Sequence, residues 1–465
     1  MAQPLAAPTR MARAIADPSY PLPMAERLVV IGGDAGSMTA ASQAKRMRTD
    51  LEVVALERGT RTSFAACGIP FFIGGEVPTL DSLVARTPDE HVARGIDVRL
   101  RHEVTEIDLG ARSVRVRRLD QGDEVTIGFD QLVIGTGARP LRPPIPGLDD
   151  RSFVFGVQNL DDAEVLMHHA RSIDARDVVV VGGGYVGLEM AEAFCHRGAS
   201  VTVVDIAPQV MGTLDPDMAE LIVAAMQGDG IEVRTSTQVE AVEPGRVHTS
   251  DGELPADLVV LGLGVTPNSE LAGAAGLELG VRNAIRVDRQ QRTSAAGIWA
   301  AGDCCESMHR VSGRPTFVAL GTVANRQSRV AGINIGGGYA TFPGVLGSAV
   351  TKICRTEVGR TGLNEREATE AGFRFDTARV QTTTRSRYFP GSTPITVKLL
   401  AERGTGRLLG GQIVGGPGSA KRIDTVATAL WNGMHADELI NLDLSYAPPF
   451  SPVWDPVQVA ARQLA

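Results

Sequence analysis

The chain lacks what would mark it as a membrane, secreted or nucleic-acid-binding protein. No apolar run approaches the roughly 20 residues that a spanning helix needs. Cysteine is scarce: Cys67, Cys195, Cys304, Cys305 and Cys354 are scattered without CxxC spacing. That argues against a disulfide framework and a zinc site, so no metal is expected and reduced cytoplasmic thiols are. An excess of basic charge is also missing, with a net charge of −8 and a sequence pI near 5.6, which leaves no footprint for nucleic acid. Residues 1–24 are rich in Ala, Pro and Arg and lack a continuous apolar segment, so no secretory signal is expected there. They read as a disordered leader, with the fold beginning near Met24.

Glycine is abundant. Fifty-two glycines and 43% hydrophobic residues in 465 positions fit an α/β protein with several cores and many tight turns. Two glycine-rich strand-to-helix turns lie 150 residues apart: Gly32-Gly33-Asp34-Ala35-Gly36-Ser37 and Gly182-Gly183-Gly184-Tyr185-Val186-Gly187. The first follows an expected strand, Arg27–Gly32, and precedes a helix, Ser37–Met47, and a strand, Leu51–Leu56, that ends on Glu57. The second follows Asp177–Val181 and precedes helix Leu188–Arg197 and strand Ser200–Val204, which ends on Asp205. Both are βαβ dinucleotide fingerprints: phosphates sit on the helix N-terminus and the acid accepts ribose hydroxyls. The second copy keeps all three glycines of GxGxxG. The first has Asp34 and Ser37 at the second and third positions, and the Asp34 side chain is expected to point away from a pyrophosphate.

Asp130–Pro140, with its Gly-Thr-Gly turn, and Thr293–Asp303, ending in Gly-Asp, read as returns to the first unit. From about Gly344 the pattern changes to strands (Val380–Thr384, Ile395–Leu400, Leu408–Val414) followed by helical Ala420–Met434. The expected class is α/β: two Rossmann-like dinucleotide-binding domains and a C-terminal α+β domain.

Cys67 follows the first acid-ended strand and is expected to open the next helix, whose dipole would favour thiolate, the nucleophile of disulfide exchange. Gly68 and Pro70 suit a helix entry with close backbone approach to a planar ring. Two dinucleotide sites and one thiol suggest an electron path from a nicotinamide, through a flavin, to sulfur. No second cysteine lies within five residues, so the redox partner of Cys67 is external: a substrate thiol or an oxygen. Adjacent Cys304 and Cys305 could bridge only with strain and read as structural.

These features resemble the single-cysteine branch of the pyridine nucleotide–disulfide oxidoreductases, from about Leu28 to the C-terminus. That branch includes NADH oxidases, NADH peroxidases and coenzyme A-disulfide reductases. The resemblance implies FAD at the first fingerprint, NAD(P)H at the second and homodimerisation through the C-terminal domain. The implied domains are 25–150 and 273–343 for FAD, 151–272 for NAD(P) and 344–465 for dimerisation. It implies FAD contacts from Gly32, Gly33, Ala35, Gly36, Glu57, Thr136, Gly137 and Asp303, and further cofactor contacts from Arg58, Ser63, Val104 and Arg139. Gly182, Gly184, Gly187, Asp205 and Gly264 would serve the nicotinamide nucleotide. Asp205, followed by Ile-Ala-Pro without a nearby cation, favours NADH over NADPH, which remains possible.

Within the branch, peroxide- and oxygen-reducing members carry a histidine where this chain has Ala35. Coenzyme A-disulfide reductases carry two C-terminal tyrosines in motifs matched here by Tyr388-Phe389-Pro390-Gly391 and Tyr446-Ala447-Pro448-Pro449, in a chain of only five tyrosines. A phenol can protonate a departing thiolate without being charged at neutral pH, and the resemblance implies that both come from the partner subunit. Thr39, Gln43, Arg46 and Ser63 match coenzyme A contacts. Ala66 stands in place of an asparagine, and Glu90 in place of a lysine with Arg86 nearby. The implied reaction is NAD(P)H-driven reduction of a coenzyme A disulfide, persulfide or polysulfide. The alternatives are an NADH oxidase or peroxidase with a Cys67 sulfenate, and a redox-sensing flavoprotein.

Overall fold

Val-, Ile- and Leu-rich runs, buried on both faces, build two parallel sheets of five strands each. The computed structural model describes residues 26–465; the expected leader over 1–24 lies outside them. In the first sheet Arg27–Ile31 is central, flanked by Glu52–Leu56 and Gln131–Ile134, with Ile96–Arg99 and Ile298–Ala300 at the edges. In the second, Asp177–Val181 is central, flanked by Ser200–Val204 and Leu258–Leu261, with Glu232–Arg234 and Val154–Gly156 at the edges. Counted along the chain from each central strand, four strands take the same order in both sheets (third, second, first, fourth), the fifth differs, and the chain interlaces the two. The first is completed by a strand that follows the whole second unit, and the second has an edge strand that precedes its central one.

Each unit also carries a three-stranded antiparallel sheet, His102–Asp108 to Asp123–Gly128 in the first and Val239–Glu243 to Gly252–Ala256 in the second. An antiparallel pair, Ala138–Pro140 with Val265–Pro267, joins the units.

The fingerprint helices are Ala35–Met47 and Tyr185–His196. Gly32 has φ +108°, and a Cβ there would stand 2.4 Å from the Gly135 carbonyl oxygen. Ser37, at the third glycine position, instead donates its hydroxyl to Gly135 O at 3.0 Å. In the second unit, a Cβ on Gly187 would lie 2.1 Å from Gly182 O, which explains why glycine is required there.

The C-terminal unit is one antiparallel sheet in the order Ala349–Ile353, Thr356–Gly362, Leu408–Gly415, Pro394–Glu402, Phe375–Thr383. The first two strands were not foreseen, and the expected helix is a 3-10 turn, Ala420–Arg422, followed by Ile423–Trp431. This unit is anchored on the second by buried Lys398, whose Nζ meets Asp215 (3.1 Å), Asp217 (2.7 Å) and Glu365 (2.6 Å). Among the described residues no helix is long and apolar enough to cross a membrane.

Candidate active site

The two fingerprint acids are held alike. Glu57 accepts the Gly33 N–H at 2.7 Å on one oxygen and the Gly59 N–H at 2.6 Å on the other. Asp205 accepts the Gly183 N–H at 2.6 Å and the Ala207 N–H at 2.8 Å. Each carboxylate is thereby fixed across the mouth of its glycine turn, with a lone pair on each oxygen still free for a ribose hydroxyl. Burial pushes Glu57 above the usual carboxylate range. The second sheet also brings Arg234 beside Asp205: its carbonyl accepts the Asp205 N–H at 2.9 Å, and its side chain pairs with Glu232 at 2.8 Å.

Asp34 turns toward the strand exit, accepting the Phe64 N–H at 3.1 Å. Burial raises its pKa to about 6. Asp303 is raised to about 6 by burial and by Asp34, and its Oδ1 is buried without a partner among the described residues. A buried acceptor in this state calls for an O–H donor. The residues therefore fit a dinucleotide whose polyol hydroxyl reaches Asp303 and whose phosphates lie over the Ala35–Met47 helix start, which is the requirement FAD makes of such a turn. The Asp303 turn is braced from beneath, since the Gly302 N–H donates to Gln327 Oε1 at 3.0 Å.

Other expected contacts are distributed around this turn. Thr136 Oγ1 donates to Asn268 O at 2.5 Å, Gly137 has φ +66°, and Gly264 has φ +85°. Arg139 bonds Asn268 Oδ1 at 2.8 Å and pairs with Glu270. Arg58 is exposed, and the Val104 side chain is buried in the core of the first unit.

Cys67 lies in a 3-10 turn, Ala66–Gly68, that runs into helix Ile69–Gly74. The residue is exposed, and no other cysteine is bonded to it. Its thiol is pushed up rather than down, contrary to the dipole argument. Packing around the turn removes water, and the carboxylates of Glu189 and Asp303 repel a thiolate more than the local backbone N–H favours it. Gly68 stands at the entry of that helix, and the space a Cβ would need there is filled by the Leu83 side chain, 2.2 Å away. Cys304 and Cys305 are buried thiols with sulfurs 3.6 Å apart, packed in the core of the first unit.

Beside the Cys67 segment opens a cavity of about 760 Å³, lined by Asp34, Ala35, Thr39, Arg46, Ser63 and Phe64 together with Lys45, Arg86, Arg94 and Asn325. Three of the four expected substrate contacts line it. Gln43 does not; it accepts the Arg46 guanidinium at 2.7 Å. Glu90 is occupied in capping the Pro88–Val92 helix, accepting the Thr87 N–H at 2.8 Å. The cations Lys45, beside Arg46 on the fingerprint helix, and Arg94, three residues beyond the buried His91, were missed, because nothing in the sequence brings residues 91–94 to that helix.

Tyr388 and Tyr446 are 76% and 46% exposed, on adjacent loops of the C-terminal unit. The Ser386 N–H donates to Pro448 O at 3.3 Å, and Arg422 reaches both Thr384 O (2.6 Å) and Phe450 O (2.7 Å). Among the described residues neither tyrosine bonds the Cys67 segment of its own chain. Exposed Phe450, Val453 and Trp454 surround the loops.

Residues 26–327 match the family model "Pyridine nucleotide-disulphide oxidoreductase", and residues 348–456 match the dimerisation domain of the same family. A protein of Pyrococcus horikoshii named NAD(P)H coenzyme A polysulfide/persulfide reductase is 38% identical over 95% of this chain and 99% of its own. An NADH oxidase of Methanocaldococcus jannaschii is 37% identical over 94% and 98%. The solved structure of an NAD-dependent persulfide reductase from A. fulgidus superposes with a TM-score of 0.91 at 40% identity, covering 94% of this chain and 82% of that one. The chain belongs to the pyridine nucleotide-disulphide oxidoreductases. It is an FAD-dependent NAD(P)H:disulfide oxidoreductase and carries the family's dimerisation domain.

Proposed function

We propose that the enzyme reduces the sulfur–sulfur bond of a coenzyme A-type disulfide, persulfide or polysulfide, using Cys67 as its only redox cysteine. The observation that carries this reading is an exposed cysteine without a cysteine mate, three residues along the chain from Phe64 in the wall of a cavity edged by Lys45, Arg46, Arg86 and Arg94. Such an edge suits the phosphates of a nucleotide thiol. When bound, FAD passes the two electrons of NAD(P)H to sulfur. Cys67 thiolate attacks one sulfur of the substrate, forming a mixed disulfide and expelling the other sulfur as a thiolate. Tyr388 or Tyr446 of the partner subunit gives that thiolate its proton. Two electrons then break the mixed disulfide, releasing the second thiolate and restoring Cys67.

Thr39, Arg46 and Ser63 position the carrier, and Gln43 holds the Arg46 guanidinium in place. Asp205 favours NADH, since a carboxylate accepts a 2′-hydroxyl and repels a 2′-phosphate. We assign the enzyme to the cytoplasm, where reduced thiols match its five free cysteines.

Replacing Cys67 by Ser is expected to abolish disulfide reduction, by about 10³-fold or more, while FAD remains bound. Retention of full activity would end the proposal. The NADH-oxidase reading is separated by weighing what reduction releases from Cys67 in the denatured protein: a coenzyme A increment supports the disulfide chemistry, an oxygen increment a sulfenate. Ala35 provides no acid–base group at the helix start, which argues against the latter.

A further inference from the structure

Ser63 is the only residue between Thr60 and Pro70 with left-handed backbone (φ 51°), a conformation that costs a non-glycine residue energy. It is pinned on both sides: its N–H donates to Gly33 O at 2.9 Å, and its carbonyl accepts the Ala85 N–H at 2.7 Å. Held in this way, Ser63 lines the cavity.

Against the Ser63 hydroxyl lies His91. It is 0% exposed, on the short helix Pro88–Val92, and its Nε2 is 2.9 Å from Ser63 Oγ. The other ring nitrogen, Nδ1, is buried and has no partner among the described residues. A neutral imidazole carries one proton. On Nδ1 it would be a buried N–H without an acceptor, which is rarer in folded proteins than an unfilled acceptor. On Nε2 it is donated to Ser63 Oγ, and only a lone pair is left unpartnered. The ring stays neutral because burial, helped by Arg86 and Arg94 and opposed by Glu90, holds it below the ordinary histidine range.

We propose that His91 is a positioning residue for the substrate cavity: by donating Nε2–H to Ser63 Oγ, it frees the Ser63 hydroxyl proton for an acceptor oxygen, phosphate or amide, of the bound thiol carrier. The strained backbone and the buried ring then act together, one aiming the hydroxyl and the other setting its polarity. This rests on the reading of the cavity as the site of a coenzyme A-type substrate.

The test uses holoenzyme with coenzyme A disulfide as the probe. His91→Phe preserves an aromatic ring but removes the donor, and is expected to raise KM about five- to tenfold, the effect falling on KM rather than kcat. His91→Gln, whose amide N–H can take the Nε2 role, is expected to recover most of the loss. Ser63→Ala should match His91→Phe, and the double variant should add little, because both remove one hydrogen bond. Nitrogen-15 NMR of the histidine ring in wild-type holoenzyme should find Nδ1 unprotonated. A proton on Nδ1, or additive effects of the two substitutions, overturns the proposal. If His91→Phe fails to fold, His91→Gln and Ser63→Ala with the ring spectrum decide it. Should wild-type enzyme not turn over coenzyme A disulfide, the substrate reading fails by itself, and the tautomer is still read from the spectrum.

Discussion

Asp34 and Asp303 are near enough to repel each other, and each is pushed up to about 6. Burial is the larger cause in both; for Asp34 the N–H groups of Ala35 and Phe64 offset part of it. A carboxyl whose folded pKa exceeds its unfolded value near 3.8 binds its proton more tightly in the folded state. Its contribution is present below about pH 4 and is lost as pH rises through 6. For Asp34 a shift of about two units corresponds to roughly 3 kcal/mol at most. In flavin-stripped protein, Asp34→Asn should therefore flatten the fall in thermal midpoint between pH 4 and 7. An unchanged slope would mean that this carboxyl titrates normally. At the second glycine position of the first turn, the Asp34 side chain accepts the Phe64 N–H, a partner that the sequence did not name.

At the level of elements, the second fingerprint leaves less latitude than the first. Ser37 turns its hydroxyl onto Gly135, whereas Gly187 faces Gly182 O and Gly262 with no room for a methyl. Gly187→Ala is expected to push the Tyr185–His196 helix off its sheet and raise KM for NADH about tenfold or more, with FAD content unchanged. Loss of FAD instead would show that the two units are not separable in this way. Central strands and fingerprint helices were legible because each joins a long apolar run to a glycine turn and a terminal acid. Edge strands such as Glu232–Arg234 and Val154–Gly156, three residues each, are too short to display a period. Among the insert strands, Ser113–Arg118 does alternate, with Val114 and Val116 buried and Arg115 and Arg117 exposed, but its two apolar residues are too few to stand out in the sequence. The cavity was half legible: Thr39, Arg46 and Ser63 could be named by resemblance, but His91 and Arg94 meet them only through tertiary packing, and Lys45 went unnamed although it adjoins Arg46. The thiol's raised pKa was illegible for the same reason, since it comes first from burial by packing and then from the charge of Glu189 in the other dinucleotide unit.

For the whole molecule, the decisive fact is that one chain carries a thiol and two phenols that do not meet each other among its described contacts. The tyrosine loops are tied together by Ser386 and Arg422 and ringed by exposed Phe450, Val453 and Trp454, inside the segment that matches the dimerisation domain. A surface of that composition is what a twofold interface buries. If a site is assembled from Cys67 of one subunit and the phenols of the other, two inactive variants must complement. Cys67→Ser homodimers lack the nucleophile, and homodimers of the Tyr388→Phe, Tyr446→Phe double variant lack the proton donors. In a heterodimer of the two, one site pairs a wild-type cysteine with wild-type tyrosines, and the other has neither. Mixing through reversible dissociation or co-expression makes about half of the dimers mixed, each with one intact site, so disulfide reductase activity should return to about a quarter of wild type. If the cysteine and tyrosines instead act within one chain, the heterodimer gains no intact site and activity stays at the level of the parents. The comparison needs no knowledge of the physiological thiol, because the same substrate is used throughout and only the pairing of subunits changes.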